Sequence, residues 1–493
     1  MPEASNALVK ARLEKLERLK ARGIDPYPHR YRRTHTALQA IALFESMDPA
    51  DGDARTEPVS VAGRIMALRG MGRATFMDLL DGSGTIQVLF RENTLPDSYD
   101  VLPHLDIGDW LGVAGPVFRT RTGQTSIEAS EFSLLCKSIR PLPEKWHGLT
   151  DVEARFRQRY LDLISNDEAR RVALLRSRIV GALRRWMDGR GFLEVETPVL
   201  VPVAAGAMAH PFVTHHNALD RDLYLRIAHE LYLKRLVVGG LEKVYEIGKV
   251  FRNEGVDLEH NPEFTMMESY EAYVDYTDVM LMVEELVTDL AREVLGTTVI
   301  EFDGQRIDLT PPWPRRSLRD EAIRQTGIDF LEHTGIESLR TEMQAAGIDV
   351  TIQSSWGGLV DKLISARVEP NLVQPTFLVD YPVATSPLAK RKPDDPRVVE
   401  RFEGFVAGME ICNAFSELND PVDQLQRLEE QESLRAQFRE EEMDRLDADY
   451  VLAIEHGMPP TGGLGIGIDR LVMLFSGHRS IREVVLFPQL RGR

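Results

Sequence analysis

Residues suited to ligand chemistry cluster in a few stretches of this 493-residue chain. Phe251-Arg252-Asn253-Glu254-Gly255 and His260-Asn261-Pro262-Glu263-Phe264 bracket a loop rich in turn residues, with strand-like runs on either side, 244–252 and 264–270. Side chains alternate faces along a strand. Phe264, Met266, Glu268 and Tyr270 therefore share one face of the second run, and Val250 and Arg252 share one face of the first. The hairpin gathers a stacking aromatic, an arginine, a carboxylate and a phenol on one side. Core packing accounts for the phenylalanine and the methionine. It accounts poorly for Arg252, Glu254 and Glu268, because buried charges must be paired.

Gly463-Leu464-Gly465-Ile466-Gly467-Ile468-Asp469-Arg470-Leu471 places alternating glycines after a strand, where a backbone can approach a ligand closely. Arg470 opens a helix that Leu471, Val472 and Leu474 would bury against a sheet. The spacing is not the dinucleotide fingerprint G-x-G-x-x-G, and no G-x-x-x-x-G-K-[ST] phosphate loop occurs in the chain. Between these segments, Glu410-Ile411-Cys412-Asn413-Ala414-Phe415-Ser416-Glu417-Leu418-Asn419-Asp420 offers hard oxygen ligands. Mg²⁺ takes one or two such carboxylates and completes its shell with phosphates. Glu410 and Glu417 are seven apart, and on a regular strand they face opposite ways. A shared metal site would require a bulge or turn between them. The stretch Gly191-Phe192-Leu193-Glu194-Val195-Glu196-Thr197-Pro198 marks a helix ending in glycine, a strand start and a proline at its edge, which is weak evidence alone.

The elements that must position these residues fall into two parts. Residues 4–22 read as a basic helix with Val9, Leu13 and Leu16 at helical spacing, flanked by Leu8 and Leu19; Gly23 and Pro26 end it. Strand-like runs follow near 59–69, 74–80, 85–90, 110–119 and 125–135, with turn signals at Asp81-Gly82-Ser83-Gly84 and Thr122-Gly123. Five strands with one long connection, 91–108, roomy enough for a helix, fit an oligonucleotide-binding (OB) Greek-key barrel; other small barrels satisfy the same periodicity. Residues 137–160 form a linker and re-entry. A helix at 168–190 follows, with Val172, Leu175, Ile179, Leu183 and Trp186 on one face, and another amphipathic helix covers 275–296. The segment 300–375 reads as strands and helices inserted into the main sheet. Residues 422–449 are helical and acidic, with a solvated face at 440–442.

Composition bounds the reading. The chain is 43% hydrophobic and 28% charged, long enough for two or more domains. No apolar run is long enough to span a membrane and no apolar signal core opens the sequence, so the expected compartment is the cytoplasm. Two cysteines, Cys136 and Cys412, suit a reducing compartment and give no zinc cluster, so no zinc is expected. The net charge of −18 argues against nucleic acid, but residues 1–35 carry nine positive and four negative side chains, leaving −23 on the rest. A basic arm on an acidic body fits a protein that touches nucleic acid at chosen places; a solvated surface helix explains the same charges.

Taken in order, the segments resemble the three signature motifs of the class II aminoacyl-tRNA synthetases, over essentially the whole chain. Residues 191–198 resemble motif 1, Phe251-Arg252-Asn253-Glu254 with His260 and Phe264 motif 2, and residues 463–470 motif 3. The stretches Thr214-His215-His216-Asn217-Ala218-Leu219-Asp220, Glu230-Leu231-Tyr232-Leu233-Lys234-Arg235-Leu236, His260-Asn261-Pro262-Glu263-Phe264-Thr265 and Phe415-Ser416-Glu417-Leu418-Asn419-Asp420 resemble the lysine-specific branch almost letter for letter. The resemblance implies an α+β protein: a lead-in at 1–56, an OB anticodon-binding barrel at 57–147, and a catalytic domain at 148–493 built on an antiparallel sheet flanked by helices, with an insertion at about 300–375. It implies ATP, L-lysine and tRNA(Lys) as substrates, Mg²⁺ as cofactor, and a homodimer formed around motif 1.

By the same resemblance, Arg252 binds the α-phosphate and the lysine carboxylate region, Glu254 reads the adenine amino group, and Phe264 and Arg470 sandwich the adenine. His260 helps hold the outer phosphates. Arg252 and Arg470 are the catalytic pair, since adenylate formation needs positioned positive charge and no protein nucleophile. Glu410 and Glu417 hold Mg²⁺. Gly206 and Glu230 receive the lysine α-amino group, Glu268 and Tyr270 its ε-ammonium, and Asn413 lies in the same pocket. Phe76, Gln87 and Glu131 contact anticodon bases. The chain departs from the family's usual residues at Ala205, at His210 in place of arginine, at His229 in place of proline, and at Glu259, where some relatives carry arginine. An aspartate or asparagine ligase is the first rival, disfavoured by the negative Glu268. The others are a catalytically weak paralogue acting as an RNA-binding module and a ligase that lysylates protein, though such relatives lack the OB domain.

Overall fold

Period-two alternation of apolar residues builds the N-terminal unit, residues 1–150. The computed structural model describes residues 3–47, 54–143, 151–207, 209–351, 355–438 and 446–490. The acidic stretch 440–442 and the last residues of the 57–147 barrel range lie outside these. Helices α1 (Glu3–Ala21) and α2 (Ala37–Glu45) precede seven strands: β1 (Val59–Met71), β2 (Ala74–Leu80), β3 (Thr85–Arg91), β4 (Trp110–Gly115), β5 (Val117–Arg119), β6 (Thr125–Glu128) and β7 (Glu131–Cys136). Their order in the sheet is β5-β6-β3-β2-β1-β4-β7. The fourth and fifth expected strands each break in two, at Pro116 and at residues 129–130. Because β5 continues β4 and β7 continues β6, the sheet curls on itself. Glu128 N–H donates to the Pro116 carbonyl and Ser130 N–H to the Ala114 carbonyl across that corner. Val59, Val61, Ile65, Met77, Leu79, Ile86, Val88 and Phe90 point inward. A 3₁₀ turn at Tyr99–His104 occupies the long connection.

Helix α1 docks by a face one position away from the expected stripe. Leu8 and Leu13 are exposed, while Arg12, Leu16 and Leu19 are buried. The cause is Arg12. Its guanidinium donates to the carbonyls of Ser138 (3.2 Å), Arg140 (3.1 Å) and Ile107 (2.9 Å), which rotates the helix toward that anchor. Part of the basic arm is neutralised within the unit, through Lys15–Asp106 (2.7 Å) and Arg22–Asp100.

The second unit, residues 151–493, opens with α3 (Val152–Arg157), α4 (Arg159–Ser165) and α5 (Asp167–Gly189). Strands β8 (Leu193–Glu194), β9 (Leu200–Val201), β10 (Val213–His216) and β11 (Arg221–Leu225) lead to α6 (Glu230–Val238). The hairpin of β12 (Lys243–Phe251) and β13 (Glu263–Ala272) follows, then α7 (Tyr276–Leu295). The insertion holds a two-stranded hairpin, β14 (Val299–Phe302) and β15 (Gln305–Asp308), then β16 (Arg315–Ser317), α8 (Leu318–Thr326), α9 (Ile336–Ala345) and α10 (Trp356–Leu363). Strands β17 (Thr376–Val379), β18 (Arg401–Val406) and β19 (Met409–Ser416), helices α11 (Pro421–Phe438) and α12 (Ala448–Glu455), strand β20 (Thr461–Gly467), and helices α13 (Ile468–Ser476) and α14 (Ile481–Val484) complete it.

Eight strands form one sheet in the order β16-β17-β18-β19-β20-β13-β12-β8. The six central strands are antiparallel; β16 and β8 add parallel at the edges. One sheet face, with Tyr245, Met267, Phe402, Ala414, Leu464 and Ile466, packs on α5, α7 and α13 in a single apolar core. The insertion has its own core around Leu318, Phe330, Leu339, Leu359 and Leu363, closed by Leu378 and Phe405 from the opposite face of the sheet. The fold is the expected antiparallel sheet flanked by helices, with an OB unit before it.

Arg12→Ala strips several charge-assisted hydrogen bonds from a buried position. It is expected to lower the unfolding free energy of the N-terminal unit by about 2 kcal/mol or more. Lys10→Ala, on the exposed side of the same helix, stays within about 0.5 kcal/mol of wild type. Denaturant unfolding of both variants provides the check.

Candidate active site

The sheet face opposite the core is the floor of a cleft of about 1030 Å³. Alternation decides which residues reach it. Phe264, Met266, Glu268 and Tyr270 line the cleft, while Met267 between them is in the core. Registry then sets rows across the strands. Glu246, Glu268, Gly465, Asn413 and Glu403 form one row; Tyr270, Gly463, Phe415 and Arg401 form the next. Directly paired side chains lie on the same face, so both rows lie on the cleft side of the sheet, and each includes a glycine of β20. A Cβ on Gly463 would sit 1.8 Å from Glu417 Oε1 and 2.7 Å from Tyr270 Cε1. The missing side chain is what lets these two groups meet over β20.

At the inner end, Lys234 from α6 is fully buried between two carboxylates. Its Nζ is 2.5 Å from Glu230 Oε1 and is also paired with Glu417 Oε2. The Phe415 and Tyr450 rings lie 5.3 and 5.8 Å from the same ammonium. Burial pushes Glu230 and Glu417 above the usual carboxylate range against the pull of Lys234; Glu268 adds to the rise of both, and Glu230 to that of Glu417. Burial disfavours the charge on Lys234, but the two carboxylates outweigh it and hold the ammonium protonated. Glu268 is the third carboxylate. Its Oε1 accepts the His229 N–H (3.0 Å) and lies 3.2 Å from His229 Nδ1; its Oε2 accepts the Tyr270 hydroxyl (3.2 Å). Burial raises the Glu268 carboxyl, but the His229 and Tyr270 contacts more than offset this and hold it below its ordinary value. Gly206 is in a left-handed conformation, and a Cβ there would lie 3.5 Å from the Glu230 Cβ. Glu417 Oε1 is buried without a hydrogen-bond partner.

The outer end carries the motif 2 loop and Arg470. Arg252 follows β12; its N–H donates to Pro262 O (2.8 Å) and its guanidinium lies 5.2 Å over the Phe264 ring. Arg470 donates to the carbonyl and the carboxylate of Glu410, both at 2.9 Å, and its Nη2 is 3.4 Å from His260 Nε2. Asp257 Oδ2 lies 2.9 Å from His260 Nδ1. Glu254 and Glu259 are exposed residues lining this end. Asn413 Oδ1 accepts Arg401 Nε (3.0 Å), and Arg401 also holds Glu403 (2.6 Å).

The expected bulge exists. Registry between β18 and β19 slips at Ile411, so Glu410, opposite Phe405, faces the cleft as Asn413 does. Yet Glu410 and Glu417 do not come together. Seven residues of extended chain, one absorbed by the bulge, separate them by roughly 20 Å. No single ion bridges that span, and Glu417 belongs to the lysine-lined inner end. The carboxylate near Glu410 is Glu403, diagonal to it on β18, a relation within reach of long side chains. Burial, opposed by Arg401 and reinforced by Glu410, pushes Glu403 up to about 7. Burial with the same two glutamates takes Glu369, across the cleft, to about 8.

Reasoning from sequence missed Lys234, Glu403 and Asp469. Asp469 Oδ2 accepts the Thr265 N–H (2.8 Å) and its Oδ1 is paired with Arg176 of α5, so the motif 2 hairpin, the motif 3 segment and the helix that leads into motif 1 are joined beneath Arg470. Only the spacing of Lys234 from Glu230, one helical turn, signalled a pair. In the N-terminal unit, Phe76 and Gln87 are half-buried on the outer face of adjacent strands, in rows opposite Leu89 and Asp78. Glu131 is exposed on the outer face of β7, paired with Ala114.

The sequence is similar to known proteins over nearly its whole length. The family of class II tRNA synthetases (D, K and N) matches residues 151–491, and the OB-fold nucleic acid binding domain of the anticodon-binding type matches residues 59–142. The lysine–tRNA ligase of Dehalococcoides mccartyi is 56% identical over 98% of this chain and 97% of its own. That of Roseiflexus castenholzii is 54% identical over 99% of each chain, and that of Moorella thermoacetica 52% identical over 100% and 99%. With an OB unit before the antiparallel sheet and the motif 2 and motif 3 segments lining one cleft, the chain belongs to the class II tRNA synthetases, in the lysine–tRNA ligase family.

Proposed function

We propose that this protein joins lysine to ATP as lysyl-adenylate and transfers the lysine to the 3′ end of tRNA(Lys), with the inner end of the cleft as the lysine pocket. One observation carries the assignment of that pocket: of three buried carboxylates, Glu230 and Glu417 share one resident cation, Lys234, while Glu268 is held by His229 and Tyr270. Such a pocket is completed by an ammonium and repels the side chain of aspartate. Tyr270 and the unpartnered Glu417 oxygen meet the ε-ammonium. Gly206 and Glu230 receive the α-amino group, with Glu268 and Asn413 fixing the walls. This reading moves Glu417 from the metal to the amino acid.

ATP occupies the outer end. Phe264 and Arg470 enclose the adenine, Glu254 reads its amino group, and His260 holds the outer phosphates. Arg252, between the two ends, draws the lysine carboxylate and the α-phosphate together and stabilises the charge that builds as pyrophosphate leaves. Glu410 and Glu403 fit Mg²⁺: they are two carboxylates on one face whose mutual repulsion a divalent ion would relieve. Mg²⁺ bound there supplies positive charge to the phosphates. The tRNA 3′-hydroxyl then attacks the adenylate carbonyl, while Phe76, Gln87 and Glu131 contact the anticodon. Exposed Leu193, Val199, Leu200 and Val213 around motif 1 support a homodimer. Among the described residues no helix is long and apolar enough to cross a membrane, and we place the enzyme in the cytoplasm with its tRNA.

Lysine-dependent pyrophosphate exchange tests the pocket. Glu417→Gln keeps the shape and removes the charge, so kcat/KM for lysine is expected to fall by about 100-fold or more while KM for ATP changes little. A folded variant with unchanged lysine kinetics would contradict the assignment. Phe76→Ala is expected to weaken tRNA aminoacylation by ~1–3 kcal/mol, the worth of one stacked base, and to leave exchange untouched. Equal loss in both assays would place Phe76 outside the tRNA interface.

A further inference from the structure

Behind the lysine pocket lies a buried histidine that no step above uses. His229 precedes α6, and its side chain is 0% exposed. Both of its polar contacts on one side go to the same atom: its backbone N–H is 3.0 Å and its Nδ1 3.2 Å from Glu268 Oε1. An ionised carboxylate only accepts, so Nδ1 carries the proton. On the other side, Nε2 has no hydrogen-bond partner and stands 3.7 Å from Glu246 Oε1. Glu246 is already held by Arg226 (2.5 Å) and by the Thr197 N–H (3.0 Å) and hydroxyl (2.7 Å). The site is built for the ring. A Cβ on Gly248 would fall 2.8 Å from Nε2 and 2.3 Å from Arg226 Nη2.

The consequence reaches the substrate through Tyr270. Its hydroxyl donates to Glu268 Oε2, so its lone pairs remain to accept from an ammonium. If Glu268 took up a proton or turned away, the tyrosine O–H would be released into the pocket, where it would suit a neutral acceptor and oppose a cation. Glu268 is under pressure to do so, because Glu230 and Glu417 share the same dry space.

We infer that His229 is a positioning residue for amino-acid choice: it fixes Glu268 as an ionised acceptor of the Tyr270 hydroxyl, so that Tyr270 presents only lone pairs to the lysine ammonium. The inference rests on the reading of the inner cleft as the lysine pocket. It separates imidazole geometry from mere bulk. Asparagine can place an N–H where Nδ1 stands; glutamine places one where Nε2 stands.

The test is pyrophosphate exchange with full-length His229→Ala, His229→Asn and His229→Gln, using lysine and norleucine, which lacks the side-chain ammonium. In His229→Ala, KM for lysine is expected to rise about tenfold or more and the preference for lysine over norleucine to fall, with KM for ATP within about threefold of wild type. His229→Asn should return KM for lysine to within about threefold, and His229→Gln should resemble His229→Ala. Should the alanine variant fail to fold, the asparagine–glutamine pair alone decides. Equal behaviour of those two, a better glutamine variant, or parallel losses for lysine and ATP would overturn the inference. A wild-type protein that does not exchange with lysine would overturn the pocket assignment, and the inference with it.

Discussion

A buried imbalance of charge governs the inner cleft. Glu230, Glu268 and Glu417 are removed from water, and Lys234 pairs with Glu230 and Glu417 but not with Glu268. Carboxylates in such a place are tolerated only when paired, and burial with mutual repulsion drives Glu230 and Glu417 toward their protonated forms. An arriving ammonium removes that tension. Much of the surrounding structure maintains the imbalance rather than relieving it. Arg401, a cation that could have entered the pocket, is held by Glu403, Asn413 and the Thr385 carbonyl. Arg226 is committed to Glu246.

The sheet makes this arrangement geometrically possible. One face carries the core against α5, α7 and α13, which fixes the strands; the other is then free to hold polar side chains in register. Glycines on β20 lower the floor in the middle of two successive rows, and substrate-sized space opens where side chains would have met. Along β13 the chemistry changes with each second residue, from the aromatic Phe264 at the outer end of the cleft to Glu268 and Tyr270 at the inner end. The Asp469 contacts to Thr265 and Arg176 lock this hairpin to the helix bearing Arg470, so Arg252 and Arg470 keep a fixed relation.

Where local pattern decides, the sequence was a good guide. The alternation of residues 264–270, the helices capped by Asn166 and Asp275, and the glycines of β20 all follow from short-range rules. So did the requirement of a bulge between Glu410 and Glu417. What local pattern cannot supply is distance along the strand and the partner across it. The bulge put both glutamates on one face, yet they stand at opposite ends of the cleft, and Glu403 is the neighbour of Glu410 only through β18–β19 registry. The docking face of α1 turned on Arg12 because its acceptors lie about a hundred residues away or more. The insertion was hardest to read: its helices are short and their core is completed by Leu378 and Phe405 from the sheet. His229 stood out in sequence only as a departure, and its partners Glu268 and Glu246 belong to two different strands.

The proton balance of lysine binding tests the central claim most directly. Titration calorimetry near neutral pH, in buffers of different ionisation enthalpy, measures it on the intact protein. The empty pocket has a carboxyl pushed above its usual range, and an ammonium bound beside it lowers that value again. Lysine binding should therefore release protons, and its affinity should rise with pH until the empty pocket is itself fully ionised. Norleucine, which keeps only the α-ammonium, should release fewer. Lysine binding without proton release, or norleucine binding as tightly as lysine, would contradict a pocket whose buried negative charge selects the substrate.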